Sequence, residues 1–497
     1  MTRRSPLPSA VTIGALATTL AVLFAGAVIW FSHILPAIND EPVQVSTTTP
    51  ATPVTPGDAD RWSGVARLTG DASCTGALVD TGEGSGPAYL LTAGHCGPAR
   101  DLDANAVVTN QETTATATFK VIDGVASVAV PVARVAYSSM KGTDVSVLRL
   151  DTTLGALRDK GLRPYPIVSA AAAAGFEVTN VAVPADGIDP ADVVLRQGAC
   201  RMGTRADLVE FAWLFDQMQA TNCPGVVGGS SGSPLFNGAD QIVAMITTTT
   251  AGALPGGACY LGTPCERTGH GVTVVPDTSY AVTAAGLDRC FRGGTFGLSE
   301  ACPLPKPALT YRLSQTVFTS KAVQAQGGTV TVGLSAGRRT PAEVGIAPLT
   351  DRHSCSDPTV YTIQTTATPT GEPVSWELPA TPGFYVVCAA VRGAEGEAAA
   401  AIFQVDDTPP VRTPSLSVRP TDSGLLVEPI FSPPELSDFQ VKIGPQANTD
   451  CADPTGYQRY RRIPSEVRRD QLPATVCVIG YDLPGNAASP WSQVLTP

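Results

Sequence analysis

Histidine is scarce in this chain of 497 residues, with four in all: His33, His95, His270 and His353. That scarcity excludes a histidine-rich metal centre. No Cys-x-x-Cys occurs, which argues against a zinc ribbon or a thioredoxin-type site. Basic residues do not dominate the chain as a whole: the net charge is −11 and the pI about 4.9, so no nucleic-acid partner is expected. Aromatic residues make up 6% and charged residues 15%. With glycine at 48 and proline at 43, short strands and turns are favoured over long helices.

The twelve cysteines are present as neighbouring couples: Cys74 with Cys96, Cys200 with Cys223, Cys259 with Cys265, Cys290 with Cys302, Cys355 with Cys388 and Cys451 with Cys477. They read as six disulfides in an oxidising compartment, although sequence leaves the connectivity open. Hydrophobic residues reach 43%, and the length suits about three domains of roughly 100–200 residues each.

The N-terminus begins with a short tail, residues 1–9, carrying Arg3 and Arg4. Residues 10–35 follow, uncharged from Ala10 to Ser32. At about 1.5 Å per helical residue this run can cross a ~30 Å hydrocarbon core. It reads as a transmembrane helix that leaves the bulk of the chain outside, in the extracellular or periplasmic space. The alternative is a signal peptide cut near Ala25-Gly26-Ala27, followed by secretion. Residues 36–60 are rich in threonine and proline and read as a semi-extended stalk.

Three segments between residues 61 and 304 carry chemistry: Cys74-Thr-Gly-Ala-Leu-Val79 with Tyr89-Leu-Leu-Thr-Ala-Gly-His95-Cys96, then Gly142-Thr-Asp144-Val-Ser-Val-Leu-Arg-Leu150, then Gly228-Gly-Ser-Ser231-Gly-Ser-Pro234. A serine hydroxyl attacks an acyl group only when a base takes its proton. Histidine is the usual base, a carboxylate orients it, and two backbone N–H groups hold the oxyanion. The segments supply each residue type.

In these motifs the chain resembles the chymotrypsin-like (trypsin-like) serine peptidases, in their bacterial branch. The resemblance implies a double β-barrel peptidase domain over residues 61–304. It implies His95 as general base, Asp144 as its orienter, Ser231 as nucleophile, and an oxyanion hole from the N–H groups of Gly229 and Ser231. It also implies a Cys74–Cys96 bond pinning the histidine loop. Ser230 stands where the animal enzymes carry an activation aspartate, so activation by an N-terminal cut near Arg61 is not expected. Gly225, Thr247, Thr249 and His270 are candidate specificity-pocket residues, and Tyr280–Asp288 reads as the family's closing helix. No cofactor and no metal is implied; the expected partner is a protein or peptide substrate.

Residues 305–497 contain a repeat. Cys355-Ser-Asp-Pro-Thr-Val-Tyr361 returns as Cys451-Ala-Asp-Pro-Thr-Gly-Tyr457. Alternating apolar residues at Thr329–Leu334 and Ser415–Val418 indicate strands. Two β-sandwich modules are expected, 305–408 and 409–497, resembling immunoglobulin-like or fibronectin type III domains. The pairs Cys355 with Cys388 and Cys451 with Cys477 would lock one module each. The modules carry no recognisable chemistry and would serve a cell-surface or protein partner, with the arginines between Arg459 and Arg469 as a contact. The chain thus reads as mostly β and as a membrane-anchored serine endopeptidase. The alternative is an adhesion or receptor ectodomain using the peptidase fold as scaffold.

Overall fold

A computed structural model describes residues 50–497, apart from residues 71, 102–103, 253–258, 269–270, 307–311, 315–317, 320–329, 337, 350–354, 356, 371, 377–378, 380 and 392–397. The segments read as anchor or signal and most of the stalk lie outside the described residues. Among the described residues no helix is long and apolar enough to cross a membrane.

The architecture is mostly β. Val65–Thr69 (β1), Cys74–Leu78 (β2), Pro87–Thr92 (β3), Thr116–Phe119 (β4), Val128–Ser139 (β5) and Val145–Thr153 (β6) pair in the order β5-β4-β1-β2-β3-β6. A further β5–β6 pairing closes them into a barrel. Glu177–Ala182 (β7), Arg196–Glu210 (β8), Trp213–Thr221 (β9), Pro234–Phe236 (β10), Ile242–Thr249 (β11) and Ser279–Thr283 (β12) form a second ring, β9-β12-β11-β10-β7-β8, closed by β8–β9. Counted from its own first strand, each ring runs 1-2-3-6-5-4, so the two barrels share one topology. Closure pairs most of each strand within its ring, and the exposed ends of the long β8 take further strands.

Each interior is filled by the inward-facing apolar residues of alternating strands. Ala66, Leu78, Leu90, Phe119 and Leu148 are buried in the first barrel. Val178, Leu235, Ala244 and Ile246 are buried in the second, and the larger cluster around Trp62, Tyr165, Phe215 and Phe236 spans both.

Two expectations are corrected here. Residues 50–60 are not free stalk. Thr52–Pro53 pairs with Arg196–Gln197, the Val54 N–H donates to Leu195 O at 2.8 Å, and Val54 is buried. The segment is too short to show a period, but a β8 edge and an apolar hole accept it. Tyr280–Asp288 is not a helix: Ser279–Thr283 completes the second ring between β9 and β11, and Gly286 takes φ +82° before a short 3-10 turn, Leu287–Cys290. Ring closure outweighs the weak helical preference of that segment.

The connectivity that sequence left open is that of nearest neighbours throughout. Cys74 bonds Cys96, and Cys200 of β8 bonds Cys223, just past the end of β9. Cys259 bonds Cys265 across a separation of 6 residues, and Cys290 bonds Cys302 at the end of the double-barrel region. Cys355 bonds Cys388, and Cys451 bonds Cys477. Cys223, Cys302, Cys388 and Cys477 are all buried, so each bond anchors a loop or turn to the interior.

In the C-terminal region the repeated segment is also repeated in structure. Tyr361–Ala367, Thr340–Pro348, Gly383–Val391 and Ala399–Val405 lie side by side, as do Gln458–Arg459, Asp438–Pro445, Ala474–Tyr481 and Trp491–Leu495. Cys388 and Cys477 occupy matching strands of the two sets. In each copy the tyrosine hydroxyl donates to the cysteine carbonyl, Tyr361 to Cys355 at 2.6 Å and Tyr457 to Cys451 at 2.8 Å. Asp357 and Asp453 cap the following turns through Thr359 and Thr455. The motif is therefore a local turn lock. Of the arginines in this region, Arg459 pairs with Asp438, Arg468 with Asp470, and Arg462 lies over the Phe431 ring.

Candidate active site

His95 sits in a 3-10 turn, Gly94–Cys96, that leaves the end of β3. Asp144 opens β6. The carboxylate holds the histidine twice: the His95 backbone N–H donates to Oδ1 at 2.8 Å, and Nδ1 lies 2.8 Å from Oδ2. Asp144 is buried and His95 half-buried. A buried carboxylate so placed fixes the imidazole as the Nδ1–H tautomer and turns Nε2 outward as a base. Cys74–Cys96 ties the turn to β2.

Ser231 comes from the second barrel, in the turn before β10. Two glycines are required there. Gly229 has φ +98°, and a Cβ on it would stand 2.8 Å from Ala185 N and from Val183 O. Gly232 has φ +79°, and a Cβ on it would overlap Thr92 Oγ1 and Thr75 O. Only glycine accepts such backbone angles at so little steric cost. Among the described residues, neither the Gly229 nor the Ser231 N–H meets an intramolecular backbone acceptor. Ser230 is buried, and its Oγ accepts the Val227 N–H at 3.3 Å rather than pairing with a charge.

Thr75 was not singled out by sequence, yet it joins the two halves. Its N–H donates to Ser231 O at 2.8 Å, its hydroxyl donates to Gly229 O at 2.8 Å, and it accepts the Val183 N–H at 2.9 Å.

His95, Asp144 and Ser231 line one cleft of about 610 Å³. Val226–Gly228 forms one wall, and Ile246–Thr249 another. Thr247 and Thr249 are among the lining residues, but their hydroxyls turn into the sheet, toward Tyr280 O at 3.3 Å and Ser279 Oγ at 2.9 Å. Gly225 is corrected: it is exposed outside the cleft at φ +68°, with Ala51 beside it. His270 lies outside the described residues. The neighbouring Gly271–Thr273 strand pairs with Cys265–Thr268, and Val272 packs toward the C-terminal module.

The cleft holds one acid that sequence reading missed, Glu210. It ends β8 and is only 8% exposed. The Gly262 N–H donates to its Oε1 at 2.8 Å. Burial pushes its carboxyl above the usual carboxylate range, against the Gly262 and Thr248 donors that favour the charge.

Residues 59–174 match a family model described as lysyl endopeptidase, C-terminal domain. No curated protein matches the chain. Among solved structures, the chain is similar to a thermostable serine protease, AL20, from an extremophilic microorganism. The identity is 14% and the TM-score 0.30, covering 46% of this chain and 93% of that one. It is also similar to Rv3671c from M. tuberculosis in an inactive serine-to-alanine form. There the identity is 16% and the TM-score 0.27, covering 48% of this chain and 91% of that one.

Proposed function

We propose that the chain is a serine endopeptidase that cuts peptide bonds through an acyl-enzyme. The clamp of Asp144 on His95, with Ser231 lining the same cleft, carries this reading. Ser231 attacks the scissile carbonyl as His95 Nε2 takes its proton. Asp144 stabilises the imidazolium that results. The oxyanion accepts from the N–H groups of Gly229 and Ser231. His95 then returns the proton to the leaving amine, and water releases the acyl group by the reverse sequence. The match of residues 59–174 to a peptidase family model supports the same reaction class.

Six disulfides support export, with residues 10–35 as anchor or signal. The docking of residues 50–60, together with uncharged Ser230, supports activity without a cut near Arg61. The C-terminal pair, read as β-sandwiches, is the part available to a cell-surface or protein partner.

The test is fluorophosphonate labelling of the disulfide-intact full chain beside its Ser231→Ala variant. Labelling confined to the unmodified chain is expected. No labelling of the folded protein would favour the scaffold reading instead.

A further inference from the structure

Glu210 occupies an unusual position for a carboxylate. It is the last residue of β8, pairs with Trp213 across a two-residue turn, and faces the cleft that holds His95 and Ser231. The turn is held in a strained form. Phe211 takes φ +54°, a region that non-glycine residues rarely adopt and that clusters at functional sites. Its N–H donates to Cys259 O at 2.7 Å, and its ring meets Tyr260 edge-on at 5.6 Å. The Cys259–Cys265 loop thus grips the hairpin tip and supplies the Gly262 donor to Glu210.

A buried carboxylate without a cation costs stability. Among the described residues no lysine or arginine pairs with Glu210. Its two donors, Gly262 N–H and the Thr248 hydroxyl, orient the group but do not neutralise it. Thr248 is the residue of β11 that alternates with Thr247 and Thr249, whose hydroxyls bond into the sheet. The wall leading to the nucleophile, Val226–Gly228, brings no charge. The acid therefore enters from a separate element.

We infer that Glu210 forms a cation-taking subsite, so that the protein selects substrates with a lysine or arginine at a position other than the residue whose carbonyl is cut. An ammonium or guanidinium reaching Glu210 gives this buried carboxyl a cationic partner beside its Gly262 and Thr248 donors, and the apolar walls at Phe211, Trp213 and Leu261 cover the aliphatic stem. This rests on the serine-peptidase reading of the same cleft and adds to it the substrate's charge.

The experiment uses the full chain and internally quenched peptides that differ only by lysine against norleucine, placed in turn at each position around the cut. One position away from the cut residue should favour lysine at least tenfold in kcat/KM, as expected for a hydrogen-bonded charge pair. In Glu210→Gln and Glu210→Met that ratio should fall close to one. An unchanged ratio in both variants overturns the inference. So does a wild-type ratio near one at every position, or a lysine preference confined to the cut residue. Failure to cleave any peptide, with no fluorophosphonate labelling, instead removes the underlying reading and the subsite with it.

Discussion

The backbone N–H of Thr75 donates to the carbonyl oxygen of Ser231 at 2.8 Å. The proposed nucleophile, in the second barrel, is thereby stitched to a strand of the first. The Thr75 hydroxyl reinforces the joint by bonding the carbonyl of Gly229, just upstream of the nucleophile.

Replacing Thr75 with valine keeps the shape but strands two buried groups, Gly229 C=O and Val183 N–H. The expected cost is about 1–3 kcal/mol of stability. A fall of at least about tenfold in kcat is expected as well, since small displacements of reacting groups are costly. Urea unfolding and steady-state kinetics measure the two.

Asp144→Asn should leave the fold intact, because the amide oxygen still accepts the His95 N–H. The imidazole loses its anionic partner and its tautomer. A drop of about 10³–10⁴ in kcat is expected, with KM little changed. Kinetics on a peptide substrate beside the circular dichroism spectrum would check it.

Gly232→Ala places a methyl where Thr92 Oγ1 and Thr75 O already stand. Backbone must move, at a φ of +79° that alanine resists. We expect loss of fluorophosphonate labelling and destabilisation beyond about 3 kcal/mol. Labelling at the normal rate would contradict the placement of this turn.

Asp240 ties Arg61 at 2.7 Å and Arg163 at 2.8 Å, fastening the docked N-terminal segment. Burial raises its carboxyl, but the two guanidiniums outweigh that and hold it below the ordinary range. A depressed folded value stabilises above the unfolded value near 3.9 and is lost as pH falls through the folded one. Asp240→Asn should therefore cost about 1–2 kcal/mol at pH 7. The gap from wild type should narrow in urea titrations as the pH falls from the unfolded value near 3.9 through the lower folded one.

Truncation after residue 304 should weaken the cleft. Val209, Cys259 and Cys265 share one buried cluster with Leu349, Val386, Cys388 and Ile402 of the first C-terminal module. Asn105 bonds the Ala400 backbone twice, at 2.8 and 3.0 Å. Removing that support frees the hairpin tip that carries Glu210. At least about a tenfold loss in kcat/KM is expected, read on a peptide substrate against the full chain.

The proposed catalytic residues stand in local motifs: LTAGHC, TDVSVLRL and GGSSGSP each keep their residues within one turn or strand. The disulfide couples were legible because they too are local. Glu210 was not legible. Its strand carries register shifts between Met202 and Arg205 and between Ala206 and Leu208, and these bulges erase the period of two that marks a strand. Residues 50–60 were misread because their docking is dictated by Gln197 and Leu195, far along the chain. Thr75 gave no signal, since its role depends on a turn more than a hundred residues away.

The two barrels run through the same strand order, and the proposed catalytic set is divided between them: His95 and Asp144 on one, Ser231 on the other. During synthesis the first barrel emerges with the proposed base but without the proposed nucleophile. The second ring closes only once Ser279–Thr283 has been made. On the proposed serine-peptidase reading, a growing chain stays inert toward its neighbours until more than half of it exists. On that reading, the timing of activity is built into the order of the strands.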